Sequence, residues 1–145
     1  MIREATHRDI PEMVLMGKDF ITSTSYKDVL SFNKEQLTRL LSGLIEKESG
    51  LLLVADNGHV SGGIGMVVYR HPMSDELVSS EAFWWMNKEA RSGLDAVRLV
   101  VKAEEWVRSQ GARWFHMVAP NKKVGKFYER LGYTPLETHY TKVVC

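Results

Sequence analysis

Glu81-Ala82-Phe83-Trp84-Trp85-Met86 runs into Asn87-Lys88-Glu89-Ala90-Arg91-Ser92-Gly93 and then into Leu94-Asp95-Ala96. The first piece carries the aromatic residues that strands favour. The second is short, polar and broken by glycine. The third opens a stretch, residues 94–109, in which Val97, Val100, Val101, Glu104 and Val107 fall at helical spacing, closed by Gly111. A strand, a small-residue loop and a helix start leave the first-turn N–H groups pointing outward at the positive end of the helix dipole. The junction is therefore a candidate anion site. Arg91 can add a charge-assisted hydrogen bond there. A plain strand-to-helix turn, with Ser92 or Gly93 needed only for geometry, accounts for the same residues.

Toward the N-terminus the pattern predicts two helices and three strands. Ile2–Ala5 reads as a short strand. Thr6 with Asp9 forms a near capping box, Pro11 falls in the first turns, and the spacing predicts a helix over 7–21. Asn33 can cap a second helix with Leu37, Leu40, Leu41, Leu44 and Ile45 as its stripe. Leu51–Ala55 and Val60–Tyr69 flank Asp56-Asn57-Gly58-His59, whose Asn-Gly pair suits a type I′ hairpin turn. Gly62, Gly63 and Gly65 are expected to loosen the second arm. Val78–Met86 is the next strand. Beyond the long helix come a strand at Trp114–Val118, a short helix through Val124, Phe127, Tyr128 and Leu131 that ends at Gly132, and a final extended segment, Tyr133–Val144. This order predicts an α+β fold, one central mixed sheet in a single domain over residues 1–145.

The chain has 145 residues and a formal charge of +1, against the larger basic excess usual where a protein grips a nucleic-acid backbone. Hydrophobic residues make up 44% and charged residues 26%, a globular balance rather than a disordered one. Met1-Ile2-Arg3-Glu4-Ala5 has no apolar run of the secretory kind. Ile64–Tyr69 is far short of the roughly twenty residues that cross a bilayer. Cys145 is the only cysteine, so neither an internal disulfide nor a Cys/His zinc cluster can form. The expectation is a cytoplasmic protein without a membrane partner. His59, His71, His116 and His139 show no metal spacing.

Two segments carry a resemblance. Arg91-Ser92-Gly93-Leu94-Asp95-Ala96 is similar to the Gln/Arg-x-x-Gly-x-Gly/Ala loop of the GCN5-related N-acetyltransferases (GNAT), with Leu94 where that pattern has its central glycine. Asn121-Lys122-Lys123-Val124-Gly125-Lys126-Phe127-Tyr128-Glu129-Arg130-Leu131-Gly132-Tyr133 resembles the family's Asn…Phe-Tyr-Glu-x-Leu-Gly-Phe/Tyr segment. The opening Met-Ile-Arg-Glu-Ala-Thr and Glu81–Met86 are similar to small bacterial and phage acetyltransferases. The resemblance implies a mostly antiparallel sheet flanked by about four helices. Its fourth and fifth strands would splay to admit the cofactor, acetyl-CoA or coenzyme A. It implies an N-acetyltransferase moving an acetyl group directly to a primary amine, with a small-molecule or peptide acceptor, no metal, and a homodimer among the assemblies it allows. A non-catalytic coenzyme A-binding or protein-interaction module on the same fold is the rival reading.

The chemistry narrows the candidates. A lysine-like amine of pKa about 10.4 is neutral only about once in 2,500 molecules at pH 7, so a carboxylate must take its proton. Glu81 is the candidate base, although strict alternation puts it with Phe83 and Trp85 rather than with Trp84 and Met86; a bulge would change that. A solvated glutamate at a strand start is the plainer reading. The resemblance implies that the Trp84 N–H faces the developing oxyanion and that Met86 pairs with the pantetheine arm. It implies that residues 91–96 cradle the diphosphate and that Tyr128 protonates the leaving thiolate. Tyr128 also fits as a core aromatic on the Val124/Leu131 stripe. Asn121 can bond pantetheine, cap its helix, or both. Lys122, Lys123 and Lys126 read as a solvated basic face or as phosphate contacts.

Overall fold

Five strands pair in the order β1-β2-β3-β4-β5: Ile2–Glu4 (β1), Gly50–Asp56 (β2), Val60–Arg70 (β3), Leu77–Met86 (β4) and Phe115–His116 (β5). The structure is a computed structural model and describes all 145 residues. β1 to β4 are antiparallel and β5 lies parallel to β4. Four α-helices complete the fold: Ile10–Ser23 (α1), Lys34–Glu46 (α2), Asp95–Ser109 (α3) and Lys122–Arg130 (α4). This is the expected α+β arrangement around one mixed sheet.

Successive strand side chains point to opposite faces, and each face finds its own helices. Met13, Val14, Leu41 and Leu44 of α1 and α2 pack on Leu52, Val54 and Phe83. Leu99, Val100, Ala103 and Val107 of α3 pack on Leu51, Leu53, Ile64 and Met66. Each large apolar side chain so buried contributes about 1.5–3 kcal/mol. The β3 glycines tighten this packing rather than loosen it. A Cβ at Gly63 would stand 2.6 Å from Met13 Cε and 2.9 Å from the Leu53 carbonyl oxygen. Asp9 accepts from the Thr6 N–H at 2.8 Å, and Asn33 caps α2 by accepting from Gln36 N–H at 2.9 Å.

Several expectations need correction. The 7–21 helix begins as a 3-10 turn at His7–Asp9, because Asp9 closes that turn onto Thr6 before α1 starts. The hairpin turn is not type I′: among its residues only Gly58 has positive φ, and Asp56 pairs with Val60 across a three-residue loop. Asp56 Oδ1 accepts from the Gly58 N–H at 3.0 Å, which stabilises that longer form. On α3, Val100 and Val107 of the expected stripe are buried, but the face continues to Leu99 and Ala103 rather than to Val101. Leu99 and Ala103 are fully buried, whereas Val101 is 47% exposed. The Trp114–Val118 strand shrinks to Phe115–His116. Tyr133–Val144 forms no strand, and residues 134–145 are exposed throughout. No helix is long and apolar enough to cross a membrane.

Candidate active site

The β4–β5 pairing ends almost as soon as it begins. Ser79 pairs with Phe115 and Ser80 with His116, and beyond them the strands part. On its other side β4 stays paired with β3 up to Gly62↔Met86. Asn87 N–H donates to Ser61 O at 2.8 Å, and bonded and non-bonded pairs alternate along an antiparallel ladder. Phe83 and Trp85 therefore spend their backbone groups on β3, while those of Trp84 and Met86 turn toward the fork. The expected splay is present, and the backbone N–H groups of Trp84 and Met86 lie on its β4 side.

The same ladder resolves the position of Glu81. Met66 pairs with Glu81 and Gly65 with Phe83, leaving Ala82 unopposed as a bulge. Because directly opposed residues share a face, Glu81 stands with Met66, and Trp84 with Ile64, on the α3 side of the sheet. Strict alternation is thus broken at Ala82, and the carboxylate joins the face of Trp84. Glu81 is half-buried and accepts a hydrogen bond from the Val118 N–H across the fork. Burial pushes its pKa up to about 7, with the Val118 N–H pulling the other way.

Tyr128 closes the fork from α4. It is buried, and its hydroxyl donates to the Val118 carbonyl oxygen at 3.1 Å. Burial, and then the negative charge of Glu81, raise its pKa above the ordinary phenol value, so it stays protonated. The Trp84 ring lies 5.5 Å from Phe127 and 5.7 Å from Tyr128, centroid to centroid. Its buried indole Nε1 has no hydrogen-bond partner. Tyr128 is therefore both a packed aromatic and a satisfied polar group at the fork. Asn121 caps α4, accepting from the Val124 N–H at 3.0 Å, which leaves its amide nitrogen for another partner.

At the start of α3 the backbone N–H groups of Ser92, Leu94, Asp95, Ala96 and Val97 donate to no protein acceptor, while Gly93 N–H donates to Ala90 O. Leu94 is 68% exposed, so its side chain stands clear of the fold. The Asp95 carboxylate accepts from Asn57 Nδ2 at 2.7 Å and lies 3.3 Å from Arg98. Those two partners, Asn57 first, hold its pKa below the usual carboxylate range. Arg91 folds back, donating from Nε to the Met86 carbonyl at 3.2 Å. It thus ties the loop to the fork. Lys122, Lys123 and Lys126 are exposed. No group of three His, Cys, Asp or Glu side chains is placed to hold a metal ion.

Two residues of this region carried no motif in the sequence. Val118 reads as the end of a strand, yet its peptide meets both Glu81 and Tyr128. Asn57 reads as a turn residue, yet its side chain anchors Asp95. Only their tertiary neighbours reveal them.

The sequence pattern of the Acetyltransferase (GNAT) family matches residues 18–133, and the chain belongs to that family. No curated protein sequence matches the chain. A transcriptional regulator from Bacillus halodurans C-125 has a similar structure, at TM-score 0.77 and 20% identity, covering 97% of this chain and 99% of that one. A Trypanosoma brucei acetyltransferase aligns at TM-score 0.76 and 14% identity, covering 99% of each chain. An aminoglycoside acetyltransferase from an uncultured soil metagenomic sample, in complex with sisomicin, aligns at TM-score 0.72 and 13% identity, covering 100% and 96%. At these identities the likeness is one of fold.

Proposed function

We propose that residues 1–145 act as one acetyl-CoA-dependent N-acetyltransferase domain that moves an acetyl group directly to a primary amine. The carrying observation is the fork, where the Ala82 bulge sets Glu81 on the face of Trp84, opposite Tyr128. The residues present fit the cofactor. The free N–H groups of residues 92 and 94–96 suit a diphosphate, because donors and dipole point the same way. Leu94 offers its N–H without covering it, and the Asp95 carboxylate is held by the Asn57 amide and paired with Arg98. Arg91, Ser92, Gly93, Leu94, Asp95 and Ala96 would hold the phosphates, and Met86, Asn121 and Tyr128 the pantetheine arm. Acetyl-CoA supplies a thioester acetyl group when bound.

The chain's residues then divide the work. Glu81, with its pKa near 7, is about half ionised at neutral pH and can take a proton from an ammonium. Trp84 N–H faces the fork as the donor for a developing oxyanion, a contribution of about 3–4 kcal/mol where such donors are preorganised. Tyr128, kept protonated, donates toward a departing thiolate. The low net charge, the single cysteine and the apolar core support a cytoplasmic enzyme with a small-molecule or peptide amine as partner, rather than a nucleic acid or a membrane. Leu136, Tyr140 and Val144 are exposed, and β5 ends the sheet, which supports a homodimer.

The test is acetylation by the full chain of a panel of amines, aminoglycosides among them because one structural neighbour was crystallised with sisomicin. Mass spectrometry should show a single added acetyl group that requires acetyl-CoA. Coenzyme A binding with no acceptor acetylated would favour the non-catalytic module.

A further inference from the structure

We infer that Val118 is a positioning residue whose peptide clasps the fork shut, holding Glu81 across it until a ligand in the fork releases the carboxylate. This rests on the acetyl-transfer reading of the same site. Glu81 is the first β4 residue beyond the last β4–β5 pair, Ser80↔His116. From there its side chain reaches the opposite arm and accepts from the Val118 N–H. The carbonyl of the same residue accepts from Tyr128, so one residue ties the two proton-transfer groups together. Tyr128 is in turn packed on Trp84, whose ring also faces Phe127. Sheet arm, helix and carboxylate thus meet at a residue with no reactive atom of its own.

The clasp has an energetic consequence. Val118 N–H is the only protein donor to the Glu81 carboxylate, and no Lys or Arg pairs with it. A half-buried carboxylate that loses its donor needs another. The acceptor's ammonium can be that donor: its N–H bond breaks, the Glu81 O–H bond forms, and the neutral amine keeps the electron pair for attack. Opening the fork for the pantetheine arm therefore precedes productive seating of the amine. The clasp links occupancy of the fork to availability of the base.

Two variants separate clasping from base catalysis. Glu81→Gln keeps an oxygen acceptor for Val118 but cannot take a proton. Glu81→Ala removes both roles. Calorimetry with coenzyme A is expected to show Glu81→Gln binding like the native chain and Glu81→Ala binding about five-fold tighter, the worth of one hydrogen bond no longer broken. A second readout needs no stable alanine variant. The Val118 amide proton resonance should follow the titration of Glu81 in the native chain and lose that dependence when saturated with coenzyme A. Tyr128 and His116 are the other titratable groups beside this peptide, and Glu81→Gln controls for them by abolishing the dependence. Tightening of Glu81→Ala together with loss of the dependence supports the clasp. Equal affinities, or a dependence that persists with coenzyme A bound, overturn the clasp alone. No binding by any of the three proteins overturns the acetyl-transfer reading with it.

Discussion

β4 treats its two neighbours in opposite ways. Along β3 it is paired from Arg70↔Leu77 to Gly62↔Met86, broken only at the Ala82 bulge. Along β5 it is paired at two positions and then runs free. The β3 edge fixes register and buries Ile64, Met66 and Phe83 in the cores on the two faces. The β5 edge buries little: α4, which backs it, contributes only Tyr128 to the buried residues. The same ten residues thus build the scaffold with one set of backbone groups and offer the other set to a ligand. The proposed function thus sets stability on one edge of the strand and chemistry on the other, and substitutions should separate in the same way.

The largest expected effect lies on the fork edge. Glu81→Gln should lower turnover by about 10²–10⁴, the range for one positioned acid or base. In the native protein kcat/KM should fall as pH drops below about 7, because protonating Glu81 would remove the proposed base. The variant's residual activity should lack that limb. A pH–rate profile of the two proteins checks this, and a limb that survives in the variant would move the base elsewhere.

Tyr128→Phe keeps the ring packed against Trp84 and removes the hydroxyl that donates to Val118. Turnover should fall by about 10²–10⁴ while coenzyme A affinity changes little. Near-native turnover with stability lower by about 1 kcal/mol would make Tyr128 a core aromatic only. Slow product release can mask a slowed chemical step, so a pre-steady-state burst belongs in the measurement.

On the β3 edge the effect should be smaller and of the opposite kind. Gly63→Ala places a methyl group against Met13 and the Leu53 carbonyl, and should cost about 1–3 kcal/mol of stability. Thermal unfolding should move down by several degrees while turnover at low temperature stays native. Loss of turnover without loss of stability would blur the separation between the two edges.

The sequence made the scaffold legible because its signals are local. Asn33, the unbroken apolar run Leu51–Ala55 and the glycine after α4 act within a few residues of where they stand. Glu81 was legible as chemistry but not as geometry, since a bulge is set by pairing with Gly65 and Met66, 15 to 16 residues upstream. The face of α3 is legible at Val100 and Val107, which are buried, but Leu99 and Ala103 join it only through their packing against β2 and β3. Tyr133–Val144 has the composition of a strand, yet it forms none, and residues 134–145 are exposed. Val118 was invisible because what matters there is a backbone N–H and a carbonyl, which every residue but proline has.

The central claim is that the unpaired edge of β4 is where acetyl-CoA is held. Amide hydrogen exchange of the full chain, with and without coenzyme A, measures it residue by residue. The account predicts that Trp84, Met86, Leu94 and Ala96 gain protection on binding while the β3-facing amides of Phe83 and Trp85, already bonded, do not change. Binding that leaves Trp84 and Met86 exchanging as before would contradict it.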